Sequence, residues 1–82
     1  MQKQSLKKRL RAWFEKRPSE WVHKQYVCDI ARRASGAMSE TTARRLRELS
    51  EEGFLESDDS RGSMLYRVNI RVFDLVAHFN NS

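Results

Sequence analysis

Residues 39–56 read Ser39-Glu40-Thr41-Thr42-Ala43-Arg44-Arg45-Leu46-Arg47-Glu48-Leu49-Ser50-Glu51-Glu52-Gly53-Phe54-Leu55-Glu56, and this stretch decides the fold. Ser39 is a good helix N-cap, and Glu40 complements the positive end of a helix that starts there. Ala43, Leu46 and Leu49 recur three apart and share one face. Gly53 suits the left-handed position that stops a helix. The pattern predicts a helix over about residues 40–52, running directly into the apolar pair Phe54-Leu55.

Working backwards, Ser35-Gly36 ends an earlier helix. Val27, Ile30, Ala31 and Ala34 recur at helical spacing, which predicts that helix over about residues 24–34. Only about five residues, Ser35 to Ser39, separate the two, the length of a helix-turn-helix connection. Trp21-Val22 reads either as a two-residue strand or as the start of a long helix. Further back, Leu6, Leu10, Trp13 and Phe14 fall on one helical face. Ser5 can cap that helix, and Pro18 biases Arg17 out of it, which sets its span at about residues 5–17. Trp13, Phe14, Trp21, Leu46 and Phe54 are read as core.

Working forwards, Phe54 to Ser57 begins an extended segment. Asp58-Asp59-Ser60-Arg61-Gly62-Ser63 is dense in turn formers. Met64 to Val68 returns as a second strand, with Met64, Tyr66 and Val68 alternating against Leu65 and Arg67. Two strands about a glycine-containing loop read as a β-hairpin. Val72, Phe73, Leu75, Val76 and Phe79 form a final helical stripe over about residues 71–79, which packs on the domain or pairs two subunits.

The chain has 82 residues, so it holds one domain. Its 39% hydrophobic and 33% charged residues suit a compact domain better than a disordered tail. One cysteine rules out an internal disulfide framework. No apolar run approaches the ~20 residues that span a bilayer, and the basic N-terminal residues do not form a signal peptide. A cytoplasmic, reducing compartment is expected.

The net charge of +5 is unevenly spread. Residues 1–20 carry seven basic and two acidic groups, residues 21–47 six and two, and residues 48–59 no basic group and six acidic ones. Basic clusters attract polyanions, of which nucleic acid is the commonest.

The element order resembles a winged helix-turn-helix domain. Thr41, Arg44, Leu46, Leu49 and Gly53 fill a pattern similar to that family's recognition helix, Thr-x-x-Arg-x-Leu-x-x-Leu-x-x-x-Gly. Phe54-Leu55-Glu56 resembles the start of its wing, and Asp29-Ile30-Ala31 the core of the helix before the turn. The resemblance covers about residues 5–69. It implies a mainly α fold with a small β-hairpin: a three-helix core plus wing in residues 1–69, and a carboxy-terminal helix in residues 70–82.

The function so implied is sequence-specific binding of double-stranded DNA by a small transcriptional regulator. Such a protein acts by occupying its site, as a repressor does, and compact regulators of this kind are common in phages and plasmids. A homodimer through residues 71–79 is expected by the same likeness. In this family the second helix of the motif enters the major groove. Placing residues 40–52 at 100° per residue centres the outer face on Thr41, Arg44 and Glu48, flanked by Glu40, Arg45 and Arg47. Thr41 and Arg44 are assigned to bases, and Arg45 and Arg47 to phosphates. Ser39 and Thr42 are expected to donate hydroxyls to the backbone. Lys24 lies on the phosphate track, and Arg61 sits at the wing tip. The alternative is a winged helix used as a protein-interaction module, with residues 48–59 suiting a basic partner.

No enzyme is expected. There is no glycine-rich phosphate loop, and Cys28, His23 and His78 match no zinc spacing. No cofactor or metal is assigned.

Overall fold

The computed structural model describes residues 5–69. Three helices, α1 (Leu6–Glu15), α2 (Lys24–Ser35) and α3 (Ser39–Glu51), pack with three short strands, β1 (Val22–His23), β2 (Leu55–Asp58) and β3 (Leu65–Val68). The domain is mainly helical, with a small antiparallel sheet in the order β1-β3-β2. The stripe at residues 71–79 lies outside the described residues. No helix among the described residues is long and apolar enough to cross a membrane.

Ser5 caps α1, its hydroxyl accepting from the Lys8 amide at 3.2 Å. Past the end of the helix the Arg17 amide closes a turn onto the Phe14 carbonyl, just before Pro18. Its guanidinium lies 4.2 Å from the centre of the Trp13 ring. Arg32 and Arg33 sit in the last turn of α2, where cations complement the negative helix end. Gly36 then takes φ +71° and returns its amide to the Arg32 carbonyl.

α3 begins at Ser39, the residue that sequence suggests as its cap. The Met38 carbonyl accepts the Thr42 amide, so Met38 is the N-cap and Ser39 the first helical residue. A methionine side chain cannot accept from the first-turn amides, and no side chain caps this helix. At its far end Gly53 takes φ +89°, and the Phe54 amide closes onto the Leu49 carbonyl. That turn sends the chain straight into β2.

The sheet contains more than a hairpin. β2 and β3 pair with Leu55 opposite Val68 and Asp58 opposite Leu65. β1 adds to the other edge of β3, with Val22 opposite Tyr66. The Lys24 amide donates to the Met64 carbonyl and extends this contact. Of the two readings for Trp21-Val22, the strand is therefore the one that forms. Val22, Tyr66 and Val68 turn inward. Trp21, read as core, is instead 40% exposed on the outer face. Successive strand residues point to opposite faces, so burying Val22 turns Trp21 out. Arg67 covers the Trp21 ring at 4.4 Å and donates to Glu56, which lies opposite it on β2. Leu65, on the same strand face as Arg67, is nevertheless buried.

The core gathers Leu10 and Phe14 from α1, Val27 from α2, and Leu46 and Leu49 from α3 against Val22, Phe54, Leu55, Tyr66 and Val68. Trp13 packs partly buried at its edge, its ring edge-on to Phe14. Phe14, Leu46 and Leu49 are fully buried, each a gain of about 1.5–3 kcal/mol over exposure. The third buried position on α3 is Thr42, not Ala43, which is half-buried.

Two substitutions test this framework in urea melts. Leu46→Ala is expected to cost ~2–5 kcal/mol, because it leaves a cavity where the elements meet. Gly36→Ala meets no atom within 4 Å and carries only the left-handed strain, so it is expected to cost about 1 kcal/mol.

Candidate nucleic-acid interface

The face of α3 turned from the core carries Glu40, Arg44, Arg47 and Glu51, all exposed. Thr41, Arg45 and Glu48 are half-buried along one flank. The outer face is thus rotated towards Arg47 relative to one centred on Thr41, Arg44 and Glu48. The cause is α1, which lies along the Glu48 flank. Lys7 Nζ stands 3.8 Å from Glu48 Oε1 and also donates to Glu52. Arg45 Nη1 donates to Glu48 Oε2 at 2.7 Å. Chiefly through that hydrogen bond, the Glu48 carboxyl is held below its ordinary range.

These contacts sort the arginines. Spacing along the helix suggests Arg44 with Glu48 and Arg47 with Glu51. Neither ion pair forms; Glu48 is taken by Arg45 and Lys7. Among the described residues, Arg44 and Arg47 have no carboxylate within ion-pair distance. The Arg47 charge acts on the Tyr66 phenol of β3, opposing the upward shift that burial gives it. Arg45, assigned to phosphate from sequence, is half-buried and hydrogen-bonded to Glu48.

Thr42 cannot take the role assigned to it. It is fully buried, with its Oγ1 enclosed and without a hydrogen-bond partner, so it offers no hydroxyl to an outside ligand. The cause is helical register: Thr42, Leu46 and Leu49 form the i, i+4, i+7 set facing the core. Ser39 is exposed at the first turn, and its carbonyl accepts a long contact of 3.7 Å from the Cys28 thiol. Cys28 is buried on α2, and burial raises its thiol pKa.

Lys24 and Arg61 lie on other elements. Lys24 opens α2 and shares a shallow depression of about 270 Å³ with His23, Gln25, Ser63 and Met64. The start of α2 and the β2–β3 loop are therefore neighbours. Arg61 is exposed in that loop, close enough to Asp58 to help lower its pKa, which falls mainly through hydrogen bonds from Ser60. Met38 was given no role by the sequence, yet it is 68% exposed at the turn before α3. An apolar residue at a cap position carries no local signal of its exposure. The described residues contain no group of three or more His, Cys, Asp or Glu able to hold a metal ion, and His78 lies outside them.

Removing the enclosed hydroxyl by Thr42→Val is expected to stabilise the fold by up to about 1 kcal/mol in urea melts. Glu48→Gln is expected to lower the melting temperature at neutral pH. A carboxyl whose folded pKa is depressed stabilises above its unfolded pKa, and that contribution is lost as pH falls through the folded pKa. The wild-type and Glu48→Gln melts should therefore converge below the ordinary carboxylate range of about 4. The chain matches no protein-family model, no curated protein and no solved structure.

Proposed function

We propose that this chain is a winged helix-turn-helix protein that binds double-stranded DNA sequence-specifically, as a small transcriptional regulator acting by site occupancy. The observation that carries the reading is the pair Arg44 and Arg47, exposed one turn apart on α3 with no ion pair among the described residues. Surface arginines that do not pair with nearby carboxylates are available to a polyanion. The short connection Gly36 to Met38 between α2 and α3 supports a helix-turn-helix, and the β2–β3 hairpin directly after α3 supports a wing.

In this reading α3 enters the major groove. Arg44 pairs with a guanine edge, and the Thr41 methyl meets a thymine. Arg47 reaches a phosphate or a second base edge. Ser39 and the first-turn amides, which no side chain caps, suit a backbone phosphate. Arg45 adds charge but is held by Glu48. Lys24 and Arg61 take flanking phosphates from α2 and the wing. A two-fold dimer through residues 71–79 reads a palindrome with half-sites about one helical turn apart.

A second reading makes the domain an adaptor for a basic protein. The exposed carboxylates Glu51 and Asp59, which have no ion pair among the described residues, favour it.

Fluorescence anisotropy on a random duplex pool across a salt series separates the two. The DNA reading expects submicromolar binding at low salt and a steep fall of affinity with salt. Arg44→Ala/Arg47→Ala should weaken binding at least ~10-fold and flatten the salt slope by about two, while Arg45→Ala changes it less. Absent binding, or binding indifferent to both substitutions, overturns the assignment.

A further inference from the structure

We propose that the groove between α1 and α2 is a docking site for an acidic amphipathic helix of a partner protein. This inference is independent of the DNA reading, because it concerns a different face of α2.

The groove has a volume of about 90 Å³ and an almost wholly apolar lining, with Leu6 and Trp13 on one wall and Ile30 and Ala34 on the other. That is the space of about three waters, enough for one inserted apolar side chain. Tyr26, 58% exposed, lengthens the surface, its ring 6.5 Å from that of Trp13. Cys28, which reaches the backbone of α3, lies on another side of α2 from Ile30 and Ala34. A helix with apolar residues at i, i+3, i+4 and i+7 can seat one of them in the groove and lay others over Trp13 and Tyr26.

Charge selects the occupant. Arg9 lines the groove, and Arg33 follows Ile30 by one turn on the same side of α2. Both are exposed, and neither has a carboxylate within ion-pair distance among the described residues. Arg17 adds a third cation above the Trp13 ring, paired with Glu20 at 4.0 Å. The carboxylates of α1 and α2 are paired with other side chains, Glu15 with Arg11 and Asp29, one turn before Arg33, with Arg32. An apolar floor flanked by Arg9 and Arg33, neither ion-paired among the described residues, is complementary to a helix with an apolar stripe and acidic flanks, and it repels a basic one. Residues 70–82 of this chain have the apolar stripe but not the acidic flanks, because their sequence holds one carboxylate, Asp74, and one arginine, Arg71.

The test uses the full chain labelled with 15N and two synthetic helical peptides of about four turns. Both have the same leucine spacing, one with glutamates and the other with lysines along its flanks. The glutamate peptide should shift the Trp13 indole and the Arg9, Ile30 and Arg33 amides saturably, with affinity falling as salt rises. The lysine peptide should leave them in place. Arg9→Glu/Arg33→Glu alters two exposed side chains and should reverse the preference by roughly tenfold. Four results overturn the proposal: no binding of either peptide, equal binding of both, stronger shifts of the same signals by a peptide of residues 70–82, or stronger shifts of them by duplex DNA.

Discussion

The domain depends on the burial of one side of α3. Leu46 and Leu49 are fully enclosed, and α1, α2 and the sheet are arranged around them. A helix packed on three sides has only one face left for solvent. The same register that places Thr42, Leu46 and Leu49 inside therefore sets Glu40, Arg44, Arg47 and Glu51 outside. Core packing and the candidate interface are two sides of one helical phase. A shift of that phase moves both together.

Electrostatics refine what the phase allows. Four arginine and lysine side chains stand near the α3 carboxylates, and they do not share them equally. Lys7 crosses from α1 to Glu48 and Glu52, and Arg45 takes the remaining side of Glu48. Exposed pairs of this kind contribute little stability, about 0–1 kcal/mol. Their larger effect is on availability. With Glu48 engaged by Lys7 and Arg45, Arg44 and Arg47 are the exposed arginines of α3 that form no ion pair among the described residues.

Much of this was legible in the sequence. The three helices follow from apolar spacing, and Gly36 and Gly53 mark their ends because only glycine enters left-handed backbone without cost. The hairpin follows from its turn residues. What escaped is what depends on distant parts of the chain. The pairing of β1 with β3 joins segments far apart in sequence, and two residues carry no alternation to reveal which side of Trp21-Val22 is buried. Thr42 escaped because a hydroxyl in a helical core position looks like a surface residue. The engagement of Glu48 by Lys7 escaped because the two residues are far apart in sequence and meet only when α1 packs on α3. The α3 boundary shifted by one residue because Met38, which has no capping side chain, holds the position a serine usually takes.

The two-residue β1 also bears on the order of assembly. α2, the turn and α3 form from contacts between near neighbours, as does the β2–β3 hairpin. Matching Val22 to Tyr66 instead closes a long loop that contains both, and loop closure is the slower kind of event. β1 thus ties the entrance of α2 to the hairpin through its pairing with β3 and the burial of Val22. Because Val22, Leu55, Tyr66 and Val68 are buried in one cluster with the helices, this clasp fixes how the hairpin loop is aimed beside the α2 entrance.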